Sequence, residues 1–347
     1  MAALDNCKDA AAPPPPVVTV TSTRNVAPAA PKCVLATFDL PYITFYYNQK
    51  LLLYRLPNGA SDFPDAVARM SASLSDALAY FHPLAGRIRQ DHHDGSLSID
   101  GHHGAEVIEA SADQVSVDEL AGEECSEEAE KVMQLLVPYT GVMNLEGLHR
   151  PLLAVQLTRL RDGVAVGCAF NHAVLDGTST WHFMTSWAEL CRGAGAPSLL
   201  PVHNRGMARS VRVNLPLPPS ADAHEKTDPN GPKKPLVARK AIDEHDAGAI
   251  TRRLEEYEAA PKLFHYSDAG PNCVAVGSSP RFRVYDVDFG FGRPERVRSG
   301  GNNKFDGMVY LYPGRGGDGG IDVELSLQPE PMQRLDKDQD FLQMRAP

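Results

Sequence analysis

Positive charge is what the chain lacks most. Its net charge is −10 over 347 residues, and no basic run interleaved with aromatics occurs, which excludes a surface built to neutralise nucleic-acid phosphates. Sulfur is sparse as well. The six cysteines (Cys7, Cys33, Cys125, Cys168, Cys191, Cys273) form no C-x-x-C pair, so neither a disulfide framework nor a zinc finger is written into the chain. No apolar run reaches the ~20 residues of a membrane helix. Met1 to Pro16 lacks the basic start and apolar centre of a secretory signal. These absences predict a soluble, cytoplasmic protein with reduced thiols. The glycine run Gly314 to Gly320 lacks the strand-turn-helix context and the lysine of a phosphate loop, and reads as a hairpin loop.

What is present supports a globular enzyme of two domains, because 43% of the residues are hydrophobic and a chain of this length buries a core in each. The pattern centres on Phe170-Asn171-His172-Ala173-Val174-Leu175-Asp176-Gly177. Upstream, Leu152 to Arg159 and Val164 to Phe170 are apolar and β-branched, and Arg161-Asp162-Gly163 between them has the composition of a tight hairpin turn. Downstream, Trp181, Met184, Ala188 and Cys191 recur at helical spacing as far as Arg192-Gly193. His172 therefore sits where a buried strand gives way to a helix. A ring fixed there, and neutral near pH 7, suits a general base. Asp176 suits a helix cap or a partner for an arginine. Spacing alone leaves other roles open: a satisfied core histidine, or a metal ligand with Asp176, for which no third ligand lies nearby.

Elsewhere, Ser61-Asp62 precede a helix with an apolar face of Phe63, Val67, Met70, Leu74, Leu78 and Phe81. Val17 to Thr21, Leu51 to Leu56, Leu97 to Ile99, Phe282 to Phe289, Met308 to Tyr312 and Asp322 to Leu327 read as strands. Val115 to Gln134 and Ala241 to Ala260 read as helical. Ala10 to Pro16 is an extended leader, and the polar, proline-rich stretch 201–240 is a linker. Tyr42, Phe45, Tyr46 and Tyr47 read as core aromatics. His92-His93 and His102-His103 mark hairpin ends, with no metal expected.

Three strings carry a resemblance. His172-Ala173-Val174-Leu175-Asp176-Gly177 resembles the His-x-x-x-Asp-Gly signature of the plant BAHD acyl-CoA-dependent acyltransferases. Asp288-Phe289-Gly290-Phe291-Gly292 resembles their second signature, Asp-Phe-Gly-Trp-Gly. Phe81-His82-Pro83-Leu84-Ala85-Gly86-Arg87 also matches the family, in which His82 has a structural counterpart. The string from Asn171 to Phe183 is most similar to the cuticle-forming branch named for defective cuticular ridges.

The resemblance implies an α/β, two-domain coenzyme-A-dependent acyltransferase (chloramphenicol acetyltransferase-like) fold with mixed sheets. Residues 1–200 would form the N-terminal domain, 201–240 the crossover, and 241–347 a shortened C-terminal domain. It implies His172 as catalytic base, with Asp176, Gly177, Asp288, Gly290 and Gly292 as structural support and Asp288 anchoring its loop through an arginine. The region of Tyr42 would line the acceptor side of the cleft. Acyl-CoA would be a co-substrate with no bound cofactor, and a small hydroxyl or amine compound the acceptor. The donor would be fatty or hydroxycinnamoyl, and a monomer is the family's usual state.

Departures from the family pattern matter too. Roughly a hundred residues are missing between the two signatures, with the join near Arg239-Lys240-Ala241, so apolar sheet surface should lie exposed. Ser278-Ser279-Pro280 stands where relatives carry Thr/Ser-Ser-Trp, leaving Ser278 as the candidate oxyanion donor. Two rivals follow: a non-catalytic, truncated paralogue that binds an acceptor or a partner, and a metal-dependent hydrolase acting through His172.

Overall fold

The computed structural model describes residues 17–27, 32–101, 103–122, 126–205, 213–215, 217, 244–264, 273–317 and 319–343. The leader at Ala10 to Pro16, most of the 201–240 linker and the join at Arg239-Lys240-Ala241 lie outside them. In chain order the principal elements are β1 (Thr19–Val26), β2 (Cys33–Val34), β3 (Asn48–Arg55), α1 (Phe63–Tyr80), β4 (Arg87–Gln90), β5 (Leu97–Asp100), β6 (Ala105–Ala112), α2 (Val117–Ala121), α3 (Glu127–Leu135), β7 (Leu153–Leu160), β8 (Gly163–Phe170) and α4 (Gly177–Cys191). There follow α5 (Ala247–Ala259), β9 (Ala275–Val276), β10 (Arg296–Ser299), β11 (Met308–Pro313) and β12 (Ile321–Ser326).

The main sheet has the order β1-β6-β7-β8-β3-β10, with β6 and β7 parallel and the other pairs antiparallel. β8 is buried at every residue, because helices cover both faces, and such strands read as continuous apolar runs rather than as alternation. One face packs on α1 and α4 through Leu52, Tyr54, Val166 and Phe170. The other packs on α2 and α3 through Leu51, Leu53 and Ala165. The expected β7–β8 hairpin and the helix after His172 form as the pattern predicts.

β10 was not legible in the sequence. Arg296 and Arg298 gave it a charged composition, yet it pairs antiparallel with β3, so part of the stretch 241–347 completes the main sheet. Val284, Val287, Phe289, Val297 and Tyr312 also belong to the core built on α1 and α4. A second correction concerns Phe282 to Phe289, expected as a strand. It forms a 3₁₀ turn at Val284–Asp286, in which Val284 and its neighbour Tyr285 are both buried.

A three-stranded sheet, β12-β11-β9, is covered on one side only among the described residues. Met308, Tyr310 and Tyr312 point into the core, whereas Val276, Ile321 and Val323 on the opposite face are 62%, 54% and 56% exposed. This is the uncovered apolar surface the sequence led us to expect. Among the described residues no helix is long and apolar enough to cross a membrane, and no group of three side chains could hold a metal ion.

Candidate active site

β8 ends at Phe170, and the chain turns immediately. The turn is held by a buried side chain that sequence reasoning passed over, since an isolated asparagine in a loop carries no pattern. Asn144 accepts from the backbone N of His172 through Oδ1 (2.9 Å), its carbonyl accepts from Asn171 Nδ2 (2.8 Å), and its Nδ2 donates to the carbonyl of Tyr42 (2.8 Å). Every polar group of Asn144 named here is satisfied, so its burial is stabilising and the turn is fixed on both sides.

The His172 ring is partly buried. Its Nδ1 lies 3.1 Å from the carbonyl oxygen of Leu175. A carbonyl only accepts, so that contact assigns the proton to Nδ1 and leaves the Nε2 lone pair free. Burial holds the imidazole below its ordinary pKa; the charge of Lys50 adds to this, while the local hydrogen bonds and Asp176 oppose it. Tyr42 stacks on the ring at 4.7 Å and 20°. The ring also lines a cavity of about 320 Å³, together with Asp39, Tyr42, Phe81, Leu84, Leu175 and Arg205. Of the four aromatics read as core, Tyr47 is fully buried, but Tyr42 lines the cavity and that part of the reading is corrected.

Asp176 does not touch the ring's proton. Its exposed side chain caps α4, with Oδ1 accepting from Ser179 N at 2.7 Å, while the Thr180 hydroxyl donates to its carbonyl at 2.7 Å. The arginine that steadies this turn belongs elsewhere: Arg205 pairs with Asp39 and donates to the carbonyl of Val174. Burial pushes the Asp39 carboxyl up in pKa, and Arg205 opposes that. Nothing local pointed to this pair beyond Asp39 and Pro41 breaking an aromatic run. A Cβ at Gly177 would sit 2.9 Å from the tip of the Phe282 ring, which would have to shift to admit it.

The second motif lies at the far end of α4, a helix of fifteen residues and so roughly 20 Å long. The Asp288 carboxylate accepts from Gly290 N (2.7 Å) and Gly292 N (2.9 Å). Both glycines have positive φ, +98° and +91°, which only glycine adopts without strain. The expected anchoring of Asp288 through an arginine is corrected: Arg192 reaches the backbone carbonyl of Asp288, and the carboxylate is occupied by its own loop. Phe289 is fully buried and meets Trp187 edge-on at 4.6 Å. Phe291 lies under Arg69, 5.0 Å from ring centre to guanidinium.

Ser278 Oγ is buried without a hydrogen-bond partner among the described residues, and Ser278 is not among the residues lining the His172 cavity. The structure thus brings together His172, Asp176 and Gly177, sets Asp288, Gly290 and Gly292 at the other end of α4, and keeps Ser278 off the cavity wall. The His82 ring meets that of His203 at 4.3 Å and a 49° tilt; His203 lines the same cavity as His172, and His82 is not among its lining residues.

Comparison with known proteins follows this geometry. The family model described as Transferase family matches residues 17–241 and 237–342. BAHD acyltransferase DCR of Arabidopsis thaliana is 38% identical over 429 aligned positions that span 89% of this chain and 88% of that protein. Since 89% of 347 is about 309 residues, about 120 of those positions have no residue here. Hydroxycinnamoyl-CoA:5-hydroxyanthranilate N-hydroxycinnamoyltransferase HHT1 of Avena sativa is 30% identical over 76% of this chain and 63% of its own. Among solved structures, vinorine synthase superposes with a TM-score of 0.65 at 18% identity, covering 94% of this chain and 98% of its own. TRI101 of F. sporotrichioides, complexed with coenzyme A and T-2, gives 0.62 at 16% identity over 90% of this chain and 98% of its own. At these identities the two structures speak for the fold.

Proposed function

This chain belongs to the Transferase family as one of its BAHD acyltransferases, and from that premise we propose that it moves an acyl group from acyl-CoA to a hydroxyl or amine acceptor with His172 as the base. The observation that carries the assignment of the base is the Nδ1 contact to Leu175, which leaves Nε2 as an acceptor on a ring that borders a cavity. Nε2 takes the acceptor's proton, the acceptor oxygen or nitrogen attacks the thioester carbonyl, and the tetrahedral intermediate collapses. The proton returns to the departing thiolate. No covalent enzyme intermediate forms. Asp176 holds the turn as a cap, and Gly177, Asp288, Gly290 and Gly292 keep α4 and its neighbours in place. Ser278, the donor candidate of the sequence, has its hydroxyl buried off the cavity wall and takes no part in this step.

DCR and the oat transferase resemble this chain over most of its length, which supports fatty and hydroxycinnamoyl donors as the two classes to try, a cuticle polyester being the destination for the first. We propose a cytosolic setting, in which the four described cysteines (Cys33, Cys168, Cys191, Cys273), none of them in a disulfide, would stay reduced. A second reading is favoured by one observation: the family match comes in two pieces that meet at 237–241, as a shortened second domain would produce. A chain lacking that segment would bind an acceptor or a partner without turning over. Incubating the purified chain with fatty acyl-CoAs and hydroxycinnamoyl-CoAs, each with hydroxyl and amine acceptors, and measuring free thiol separates the two. Thiol release that His172→Ala abolishes supports the enzyme; undiminished release by that variant removes His172 as base, and no release by either chain leaves the binder.

A further inference from the structure

The 3₁₀ helix Thr37–Thr44 presents its side chains in stripes, because residues three apart eclipse one another in that geometry. Thr37, Leu40 and Ile43 form the buried stripe. Asp39 and Tyr42 share the next one, roughly 6 Å apart along the axis, and both line the His172 cavity. Tyr42 stacks on the imidazole, so Asp39 stands one turn along the same wall from the base. A second path fixes its place: Arg205 joins the Asp39 carboxylate to the carbonyl of Val174, two residues beyond His172.

The bonds made by the Asp39 carboxylate end on one oxygen. Oδ2 accepts from Ala36 N at 2.7 Å and from Arg205 Nη1. Oδ1 accepts from no group among the described residues, yet it is not one of the side-chain atoms buried without a partner, and the side chain is 20% exposed. It is therefore an open acceptor on the cavity wall. A carboxylate oxygen only accepts, so what it takes from a bound molecule is an O–H or N–H. The charge of the wall points the same way. Besides its histidines, the lining sets two carboxylates, Asp39 and Asp176, against the single guanidinium of Arg205, whose Nη groups are already engaged by Asp39 and Val174. A carboxylate on the acceptor would be repelled there. A molecule that displaced water from Oδ1 without replacing its hydrogen bond would leave a charged acceptor unpaired, which is how such a group selects.

We propose that the cavity takes acceptors with two donor groups: a hydroxyl or amine that His172 deprotonates, and a second hydroxyl that donates to Asp39 Oδ1. The site then selects diols over simple alcohols, with Asp39 as a specificity-determining residue. The inference rests on the reading of His172 as the base. No bond changes at the second hydroxyl, which leaves the site as it entered.

The test uses straight-chain α,ω-diols from propanediol to decanediol, their monomethyl ethers, in which one hydroxyl becomes a non-donating oxygen, and ω-hydroxy acids of equal length. With the acyl-CoA that releases most thiol, kcat/KM for the best diol, taken per hydroxyl, should exceed that for its monomethyl ether by at least ~10-fold, the worth of a hydrogen bond to a charged group. The hydroxy acid should be the poorest of the three. In Asp39→Asn and Asp39→Ala the diol-to-ether ratio should fall toward one. Each ratio is taken within one variant, so a turn loosened by losing the Arg205 pair slows both acceptors and cancels. Binding is followed separately in the wild-type chain without acyl-CoA, by ¹³C NMR of labelled aspartate carboxyls. The Asp39 resonance, identified by its loss in Asp39→Asn, should move on titration with the diol and stay still with the ether. A diol no better than its ether, a ratio kept in Asp39→Ala, a hydroxy acid that outruns its diol, or a carboxyl signal that the diol leaves unmoved overturns the proposal. Absence of thiol release with every acceptor would count against the enzyme alone, because the carboxyl titration needs no turnover and still reports on Asp39.

Discussion

The two ends of α4 carry the two signature strings, and they are built in opposite ways. At its N-terminus a half-buried imidazole borders a cavity, its turn braced by Asn144, Arg205 and the Asp176 cap. At its C-terminus Asp288 satisfies the amides of its own loop, Phe289 fills the core against Trp187, and Phe291 lies beneath Arg69. The first end has a ring nitrogen to spare; the second spends its polar and apolar groups on packing. Equal recognisability in sequence thus conceals a division of labour between chemistry and architecture.

That division predicts which measurement each substitution moves. His172→Ala should abolish acyl transfer, a loss of at least ~10²–10⁴-fold, with a thermal melt close to wild type; a variant that melts early and still turns over would erase the contrast. Phe289→Ala should cost about 3–5 kcal/mol in denaturant unfolding, since a fully buried ring leaves a cavity beside Trp187. Any activity it loses should return on cooling. Gly292→Ala, at φ +91°, should cost about 1–2 kcal/mol from backbone strain with no change in KM. Asp176→Ala is the intermediate case, removing a cap worth about 1 kcal/mol and loosening the turn, so both melt and rate should fall together.

The smallest effect is one of pH. Burial holds the His172 imidazole below its ordinary pKa, so the unfolded chain takes up that proton first. This contribution to stability is complete above the usual imidazole range and is lost as the pH falls through the depressed folded value. The acid limb of kcat/KM should follow the folded value and lie below ~6.5. A limb at or above that pH would place His172 in a setting as wet as any surface histidine.

How much of this could be read from the letters depended on whether the determining contacts were local. α1 announced itself through Phe63, Val67, Met70, Leu74 and Leu78, all of which are buried, because a repeat of three and four is the helix's own geometry. The β7–β8 hairpin and the Asp176 cap were legible for the same reason. Strand β10 was not: Arg296 and Arg298 look like surface residues until β3 is set beside them. Asn144 is 28 residues from His172 and Arg205 is 166 from Asp39, distances over which no periodicity operates. Tyr42 was misread as filler because stacking on an imidazole leaves no trace in the aromatic run that contains it.

Asn144 couples two things that an enzyme often keeps apart. One amide side chain binds the backbone of Tyr42 and the backbone of His172, and the Tyr42 ring stacks on the imidazole, so a molecule that displaced the Tyr42 segment would also shift the proposed base. A poorly fitting acceptor would then bind well and react slowly. Selectivity in such a design is written into turnover, and an affinity screen would miss it.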